Sequence, residues 1–343
     1  MSMTESQMEE PNPRSHGRLD CAQSGPFSPD SNPLTIDQLV QNRVWTSGDE
    51  PILAYPSSGT HYVDYTARQL DYHAYNAALL YAAKMPQRSS SMEKPRVVAL
   101  LGPSNLDYVV AMFALTKLGH TVLFLSPRIP KEAHRSVLEQ TNAQDLVVNE
   151  SLSEIADYLR FELQDLKIHA LVGEDLYSQP HAHIIDTRMD YMLNSLAETR
   201  YPAWIVHSSG STSLPKPVYI SHQAALSDYK LNHFGKKGFI TMPLYYSHGI
   251  STLCKSFYSG KQVHLYNASL PIATQHLVKT LEQHHFDIFH AVPYTLKLLS
   301  EDEYAVQLLT RCHTVMYAGS TCPDGLGSFL TQRGVRLVCQ YGT

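Results

Sequence analysis

The chain has 343 residues, 43% of them hydrophobic and only 17% charged, with a formal net charge of -5 at pH 7. That apolar share supplies a substantial core and excludes a chain disordered throughout, and the length allows about two domains or one large one. The acidic balance offers no basic excess to a polyanion, so nucleic acid is excluded as a partner.

Residues 1–33 hold Pro11, Pro13, Pro26, Pro29 and Pro33 among Ser, Asn, Asp and Glu. Such a stretch cannot bury enough apolar surface to offset its ordering entropy, so a disordered leader is expected there. It carries Glu5, Glu9, Glu10, Asp20 and Asp30 against Arg14 and Arg18, which leaves the rest of the chain close to neutral. Met1 to Glu10 shows no positive stretch followed by an apolar run, so no secretory signal is read. The longest apolar run, Tyr108 to Leu115, has the length of a core helix rather than of a membrane span. Cys21, Cys254, Cys312, Cys322 and Cys339 are odd in number and include no Cys-x-x-Cys pair. That usage reads as a reduced, cytoplasmic protein without a disulfide scaffold or zinc module.

Tyr62 to Tyr81 has helical spacing and reads as an amphipathic packed element. The polar segment Gln87 to Pro95 reads as an exposed, structureless loop inside one domain. From residue 96, β-branched runs alternate with helical periodicity. Val97–Leu101 and Thr121–Leu125 read as buried strands. Between them Asn105 to Leu118 reads as a helix with Leu106, Val109, Val110 and Phe113 on one face. A helix follows over Lys131 to Gln140, then strand candidates Leu146–Val148, His169–Val172 and Trp204–Val206. Further candidates are Val218–Ile220, Phe239–Thr241, Gln262–His264, Asp287–Phe289, Thr314–Met316 and Val335–Val338. Thr274 to His284 and Tyr294 to Glu301 are helical in period. Strands alternating with helices predict the α/β class, with parallel sheets covered on both faces.

Ligands of that class bind at the carboxyl ends of strands. One loop there stands apart, Trp204-Ile-Val-His-Ser-Ser-Gly-Ser-Thr-Ser-Leu-Pro-Lys-Pro-Val-Tyr-Ile-Ser-His222. After a buried strand come Ser208, Ser209, Gly210, Ser211, Thr212 and Ser213, then Pro215 and Lys216. Small side chains let backbone N–H groups approach an anion, hydroxyls add donors, and a lysine adds a point charge, a combination suited to polyphosphate. No Walker loop occurs, and Gly325-Leu-Gly327 lacks the third glycine of the dinucleotide fingerprint. Composition alone leaves a second reading open, a Ser/Gly-rich linker with a stray lysine.

The segment resembles the phosphate-binding signature of the adenylate-forming superfamily, Thr-Ser-Gly-Ser/Thr-Thr-Gly-x-Pro-Lys-Gly. Acyl-CoA synthetases, luciferases and the adenylation domains of nonribosomal peptide synthetases share it. Ser208 stands where the family has Thr; Ser209, Gly210, Ser211, Thr212, Pro215 and Lys216 match; Ser213 and Pro217 replace the signature glycines. Other segments resemble the same family in the same order. Leu118 to Pro127 is similar to an early core motif, and Pro243-Leu-Tyr-Tyr-Ser-His-Gly249 to the segment lining the carboxylate pocket. Phe286 to Pro293 is similar to a core strand and its turn, and Tyr317 to Pro323 to the loop flanking adenine. Gln340-Tyr-Gly-Thr343 is similar to the start of the motif whose aromatic ring stacks on adenine. The resemblance runs from about Leu34 to Thr343, and in flavour it is similar to fungal synthetase-like proteins with carrier and reductase or thioesterase domains.

The resemblance implies stacked, mainly parallel sheets flanked by helices. It implies ATP with Mg2+, activation of a small-molecule carboxylic acid to an acyl-adenylate, and transfer to a thiol of CoA or of a phosphopantetheinyl carrier. Catalysis in such a reaction is largely positioning plus electrostatic stabilisation of phosphate oxygens. Ser208, Ser209, Gly210, Ser211, Thr212 and Lys216 would hold the phosphates. Gly319, Ser320, Tyr341, Gly342 and Thr343 would hold adenine and AMP, with Thr343 near the α-phosphate. Tyr246, His248 and Gly249 would line the acid pocket. His248 is one of 18 histidines, most expected on the surface or as satisfied core residues; its place in the pocket motif singles it out. Amino-acid-activating relatives carry an Asp in that pocket, whereas residues 243–251 contain no acid, so a non-amino substrate such as an aryl or keto acid is expected.

Thr343 precedes the family's Mg2+-binding Glu, its ribose-binding Asp, its hinge and its C-terminal subdomain with the catalytic Lys. Residues 34–343 are therefore expected to be the N-terminal core of an incomplete AMP-binding domain. Lys216, Thr212 and Thr343 would support catalysis without completing it, and an uncovered sheet edge is expected. The alternative is a catalytically inactive truncated fragment, and a regulatory nucleotide-binding module is a third reading. His181-Ala-His183 and His284-His285 lack the partners of a metal site. No Gly-x-Ser-x-Gly elbow is present for a serine hydrolase.

Overall fold

Thirteen strands form among the described residues of the computed structural model, which are 32–85, 87–179, 193–208 and 214–340. They are β1 (Pro51–Ser58), β2 (His61–Thr66), β3 (Val97–Leu101), β4 (Thr121–Leu125), β5 (Asp145–Val148), β6 (Lys167–Ala170) and β7 (Pro202–His207). Then come β8 (Pro217–Ser221), β9 (Gly238–Ile240), β10 (Val263–Leu265), β11 (Ile288–Ala291), β12 (Thr314–Tyr317) and β13 (Leu337–Cys339). One sheet has the order β6-β5-β3-β4-β7-β8 and the other β13-β12-β11-β9-β10-β1-β2. Every pairing is parallel except two edge hairpins, β1–β2 and β7–β8, which the alternating pattern did not predict. The leader expected over 1–33 falls, up to residue 31, outside the described residues, as does His181-Ala-His183.

The sheets stack with helices between and outside them. Val98, Leu100, Val122, Phe124 and Trp204 of one sheet share a core with Ile240, Val263 and Leu265 of the other. The helices Ala67–Ala82, Leu106–Lys117 and Ser247–Ser259 fill the space between. The opposite face of β3, β4 and β7 packs on Val137, Leu138, Ala156 and Leu159. The opposite face of β9, β11 and β12 packs on Leu277, Leu296, Leu308 and Leu330. The Leu106–Lys117 helix therefore has no solvent face; residues 108 to 116 are all buried, where one apolar face was expected. A helix enclosed between two layers is apolar all round. Asn105 caps it by accepting from the Tyr108 N–H at 3.0 Å.

Two other expectations shift. Tyr62 to Thr66 is strand rather than helix: Thr66 ends β2 and forms a reciprocal capping box with Gln69 at 3.1 and 2.9 Å. Tyrosines spaced three apart fit a strand end as well as a helix, which is why periodicity misled. β6 sits two residues earlier than His169–Val172, because the Val172 N–H donates to the Tyr81 hydroxyl at 3.1 Å instead of extending the ladder.

The segment read as an exposed, structureless loop is organised around a buried arginine. Arg88 is 3% exposed and forms a fork with the Glu198 carboxylate at 2.5 and 3.1 Å. It also donates to the carbonyls of Gly119 and Glu93 at 3.2 and 2.5 Å. A composition-based reading treats Arg as surface, but a bidentate pair with added carbonyl bonds is the arrangement that permits burial. Lys117, 8% exposed, pins three helices by reaching Asp37 and Asp71 at 2.8 and 2.5 Å.

Glu198→Ala strips the guanidinium of its partner and is expected to cost about 3–5 kcal/mol of unfolding free energy in urea titration. The double change Arg88→Met with Glu198→Leu should cost less than that single change, and the reverse order would refute the burial argument.

Burial also pushes five histidines far below their ordinary value: His120, His222 and His248 to about 4, His264 and His290 to about 3. As pH falls below about 6.5 the unfolded chain protonates first, so their contribution is present above that value and declines toward pH 3–4. Unfolding free energy should be flat from pH 7 to 8 and fall below pH 6.5 by up to about 1.4 kcal/mol per pH unit per histidine. Equal stability at pH 7 and pH 4.5 would contradict this.

Candidate functional site

Parallel pairing sends the loops after β3, β4 and β7 to one edge of the first sheet, and those after β9, β11 and β12 to one edge of the second. The two edges are joined. The Leu244 N–H, after β9, donates to the Ser104 hydroxyl, after β3, at 2.8 Å. The Tyr245 side chain hydrogen-bonds Ser126, after β4.

β7 delivers the small-residue loop to this edge. At its end the Ser208 N–H donates to the Lys216 carbonyl and the Lys216 N–H to the Ser208 hydroxyl, each at 3.0 Å. These two bonds form a gate that ties Ser208 to Lys216. Gln140 donates to the Pro215 carbonyl at 3.3 Å. Lys216 is exposed at the gate. Pro217, which replaces a signature glycine, opens the edge strand β8 opposite His207; at the first residue of an edge strand its missing N–H costs no ladder bond. Ser209, Gly210, Ser211, Thr212 and Ser213 lie outside the described residues.

His207, one residue beyond the strand candidate Trp204–Val206, ends β7 and organises the gate. Its Nε2 accepts from the Ser126 N–H at 3.1 Å, which assigns the proton to Nδ1, 3.0 Å from the Ser208 carbonyl that accepts it. His134 Nε2 donates in turn to the Ser126 carbonyl at 2.9 Å. Burial lowers the pKa of both imidazoles, keeping them neutral, the form this pattern requires. A histidine between a β-branched run and a serine cluster was the available signal.

Of the acid-pocket candidates, Tyr246 caps the Ser247–Ser259 helix, and its carbonyl accepts from the Ile250 N–H at 3.1 Å. Gly249 is buried beneath the Pro243 carbonyl; a Cβ there would lie 2.2 Å from that oxygen, so only glycine lets the turn close. His248 is half-buried with an unpartnered Nε2. Burial, then Lys255, lowers its pKa to about 4, while Asp228 opposes the shift. Asp228 was not foreseen, because it comes from the preceding helix; it is paired with Lys255 at 3.0 Å.

Gly319 follows β12 at φ +90°, a left-handed position favouring glycine, and is exposed with Ser320. Tyr341, Gly342 and Thr343 lie outside the described residues. The structure thus brings Ser208, Lys216, Tyr246, His248, Gly249, Gly319 and Ser320 to the joined carboxyl edges. Among the described residues no group of three or more His, Cys, Asp or Glu could hold a metal ion, and no helix is long and apolar enough to cross a membrane. His284 instead packs against Tyr62 and His264, at 5.1 and 4.9 Å between ring centres.

Ser208 and Lys216 close on each other with the Lys216 side chain exposed, and Gly319 takes a left-handed turn after β12. The family described as AMP-binding enzyme matches residues 48–343. An adenylate-forming reductase, stbB, of Stachybotrys bisbyi is 26% identical over 324 residues, covering 90% of this chain and 30% of that protein. A carboxylic acid reductase of Neurospora crassa is 25% identical over 325 residues, covering 86% and 29%. The anthranilate CoA ligase AuaEII, solved with anthranoyl-AMP, superposes with a TM-score of 0.74 at 16% identity, covering 91% of this chain and 60% of that one. The chain spans less than a third of the length of the two reductases.

His207→Phe removes the acceptor of the Ser126 N–H and should weaken ATP binding by about tenfold, whereas His207→Gln, with an acceptor at similar reach, should recover most of it. Isothermal titration with melting temperatures as a control decides; equal loss in both variants would count against the clamp.

Proposed function

The chain belongs to the AMP-binding enzyme family, and we propose that it forms the nucleotide- and acid-binding core of a synthetase that activates a carboxylic acid with ATP. The acyl-adenylate would pass to a thiol of CoA or of a carrier-bound phosphopantetheine. The observation that carries this reading is the Ser208–Lys216 gate with its exposed lysine, opening on the edge shared with the Tyr246–Gly249 turn. The two reductases to which the chain is similar favour a place in a larger multidomain protein.

In this reading Ser208, Ser209, Gly210, Ser211, Thr212 and Lys216 hold the phosphates, and Mg2+ accompanies them. ATP supplies the leaving pyrophosphate; the chain's residues bind, orient and stabilise. Lys216 offsets charge on phosphate oxygens, and the Ser208–Lys216 bonds fix the two ends of the loop. Gly319, Ser320, Tyr341, Gly342 and Thr343 hold adenine and AMP. Tyr246, His248 and Gly249 shape the acid's entrance, where a neutral His248 orients by hydrogen bonding rather than by charge. A substrate without an α-amino group is favoured, because the acid near His248, Asp228, is already engaged by Lys255.

Lys216→Ala should raise the ATP dissociation constant roughly 10- to 100-fold, the range of one charge-assisted contact, with the melting temperature unchanged because the side chain is exposed. Unaltered ATP affinity in titration calorimetry would refute the assignment.

A further inference from the structure

The strand β13 is the edge of the second sheet, and its register with β12 sets Cys339 beside Tyr317. The Tyr317 hydroxyl hydrogen-bonds the Cys339 thiol, which raises the phenol above its ordinary value. Beyond β12 the chain turns at Gly319, with φ +90°, and Cys322 comes to rest just before the Asp324–Gln332 helix. Cys322 and Cys339 thereby line one open cleft of about 480 Å3, with Tyr317, Asp324 and Leu337. Their access to solvent differs. Cys339 is exposed, whereas Cys322 is 7% exposed and holds its Sγ 3.7 Å from the Pro323 carbonyl. Cys254 and Cys312 are enclosed in the core. Burial, then the neighbouring Cys339 and Asp324, raises the Cys322 thiol above its ordinary value and keeps it protonated. A sheltered, protonated thiol meets an oxidant slowly, and an exposed one on a sheet edge is open to it.

We propose that Cys322 and Cys339 form a redox modification site, in which hydrogen peroxide joins them as a disulfide that weakens nucleotide binding and a dithiol reductant releases them. Peroxide transfers one oxygen to the Cys339 sulfur, giving a sulfenic acid and one water. The Cys322 sulfur then displaces that hydroxyl, which leaves as a second water carrying the Cys322 proton. The two thiols lose two electrons in all, and one peroxide is reduced to two waters. A dithiol returns the two electrons and two protons through a mixed disulfide. The consequence for ATP rests on the nucleotide-binding reading above. Gly319 and Ser320, assigned there to adenine, immediately precede this turn's cysteine, and Tyr341 follows Cys339 closely in the chain. A disulfide holds its two Cα atoms about 4.4–6.8 Å apart. The bond therefore ties the turn after β12 to the end of β13 and takes from both the freedom to close on a base.

The test treats the purified chain with hydrogen peroxide and maps its unreduced peptides by mass spectrometry. Titration calorimetry follows ATP affinity before oxidation, after it and after dithiothreitol. A cross-linked Cys322–Cys339 peptide should appear, with ATP affinity weakened about tenfold, the loss of one neutral contact, and recovered on reduction. Cys339→Ser should abolish both the cross-link and the change in affinity. Cys322→Ser should abolish the cross-link while Cys339 is still trapped as a sulfenic acid by dimedone. Cys21→Ser should behave as the unaltered chain. Mapping of the unaltered chain decides by itself if the Cys322 and Cys339 variants do not fold. No cross-link, or a cross-link that leaves ATP affinity unchanged, overturns the inference and leaves the acid-activating reading standing. Failure of the reduced chain to bind ATP overturns both.

Discussion

Parallel pairing is the constraint from which the site follows. A parallel strand leaves its carboxyl end on the same rim as its neighbours', so loops from residues as far apart as Ser104, Ser126, Ser208, Leu244 and Gly319 share an edge without being near in sequence. Two stacked sheets make two such rims, and these face one another only if the layers between them are fixed. The enclosed Leu106–Lys117 helix supplies that fixation, with Lys117 anchored to carboxylates on two other helices. The Leu244–Ser104 bond then sets the rims against each other. The antiparallel β7–β8 hairpin is what allows the small-residue loop to return at once, so that Ser208 and Lys216 can close on each other.

Neutral imidazole recurs wherever this arrangement needs a buried polar hinge. A histidine held uncharged can accept at one nitrogen and donate at the other, joining two backbone segments with no ion to desolvate. His207 joins the ends of β4 and β7 in this way, and His222 accepts the Ile36 N–H at 3.1 Å to tie the first helix to the hairpin. Where a charge is buried, it comes with a matched partner, as with Arg88 and Glu198. The acid sensitivity of the fold and the exactness of the gate therefore share a cause: both depend on imidazoles that burial keeps unprotonated.

Much of this was legible in the sequence, and the gaps have physical reasons. Val97–Leu101 and Thr121–Leu125 are read to the residue, because each is a short continuous run without polar interruption, bounded by turn residues and too short for a helix. β1, with Ala, Tyr and two prolines, gives no such run and is held instead by pairing with β2 and β10, partners that only the fold reveals. The Ser208–Lys216 loop was visible because small residues and a lysine are an unusual local composition. Its clamp was not, since His207 and Ser126 are 81 residues apart and their bond is a property of strand order.

Asp228 shows the same limit from the other side. The absence of an acid in residues 243–251 pointed to a substrate without an amino group, yet the fold brings a carboxylate near His248 from another helix. A local inspection thus reached its inference from incomplete premises. What sustains it is the pairing of that carboxylate with Lys255, at 8% exposure, which leaves no unbalanced negative charge for an ammonium. Charge in a pocket is set by which groups are already compensated, not by which residue types line the nearest motif. The motif at the start of the Ser247–Ser259 helix fixes where the backbone turns, and the Lys255–Asp228 pair further along that helix fixes the charge beside it.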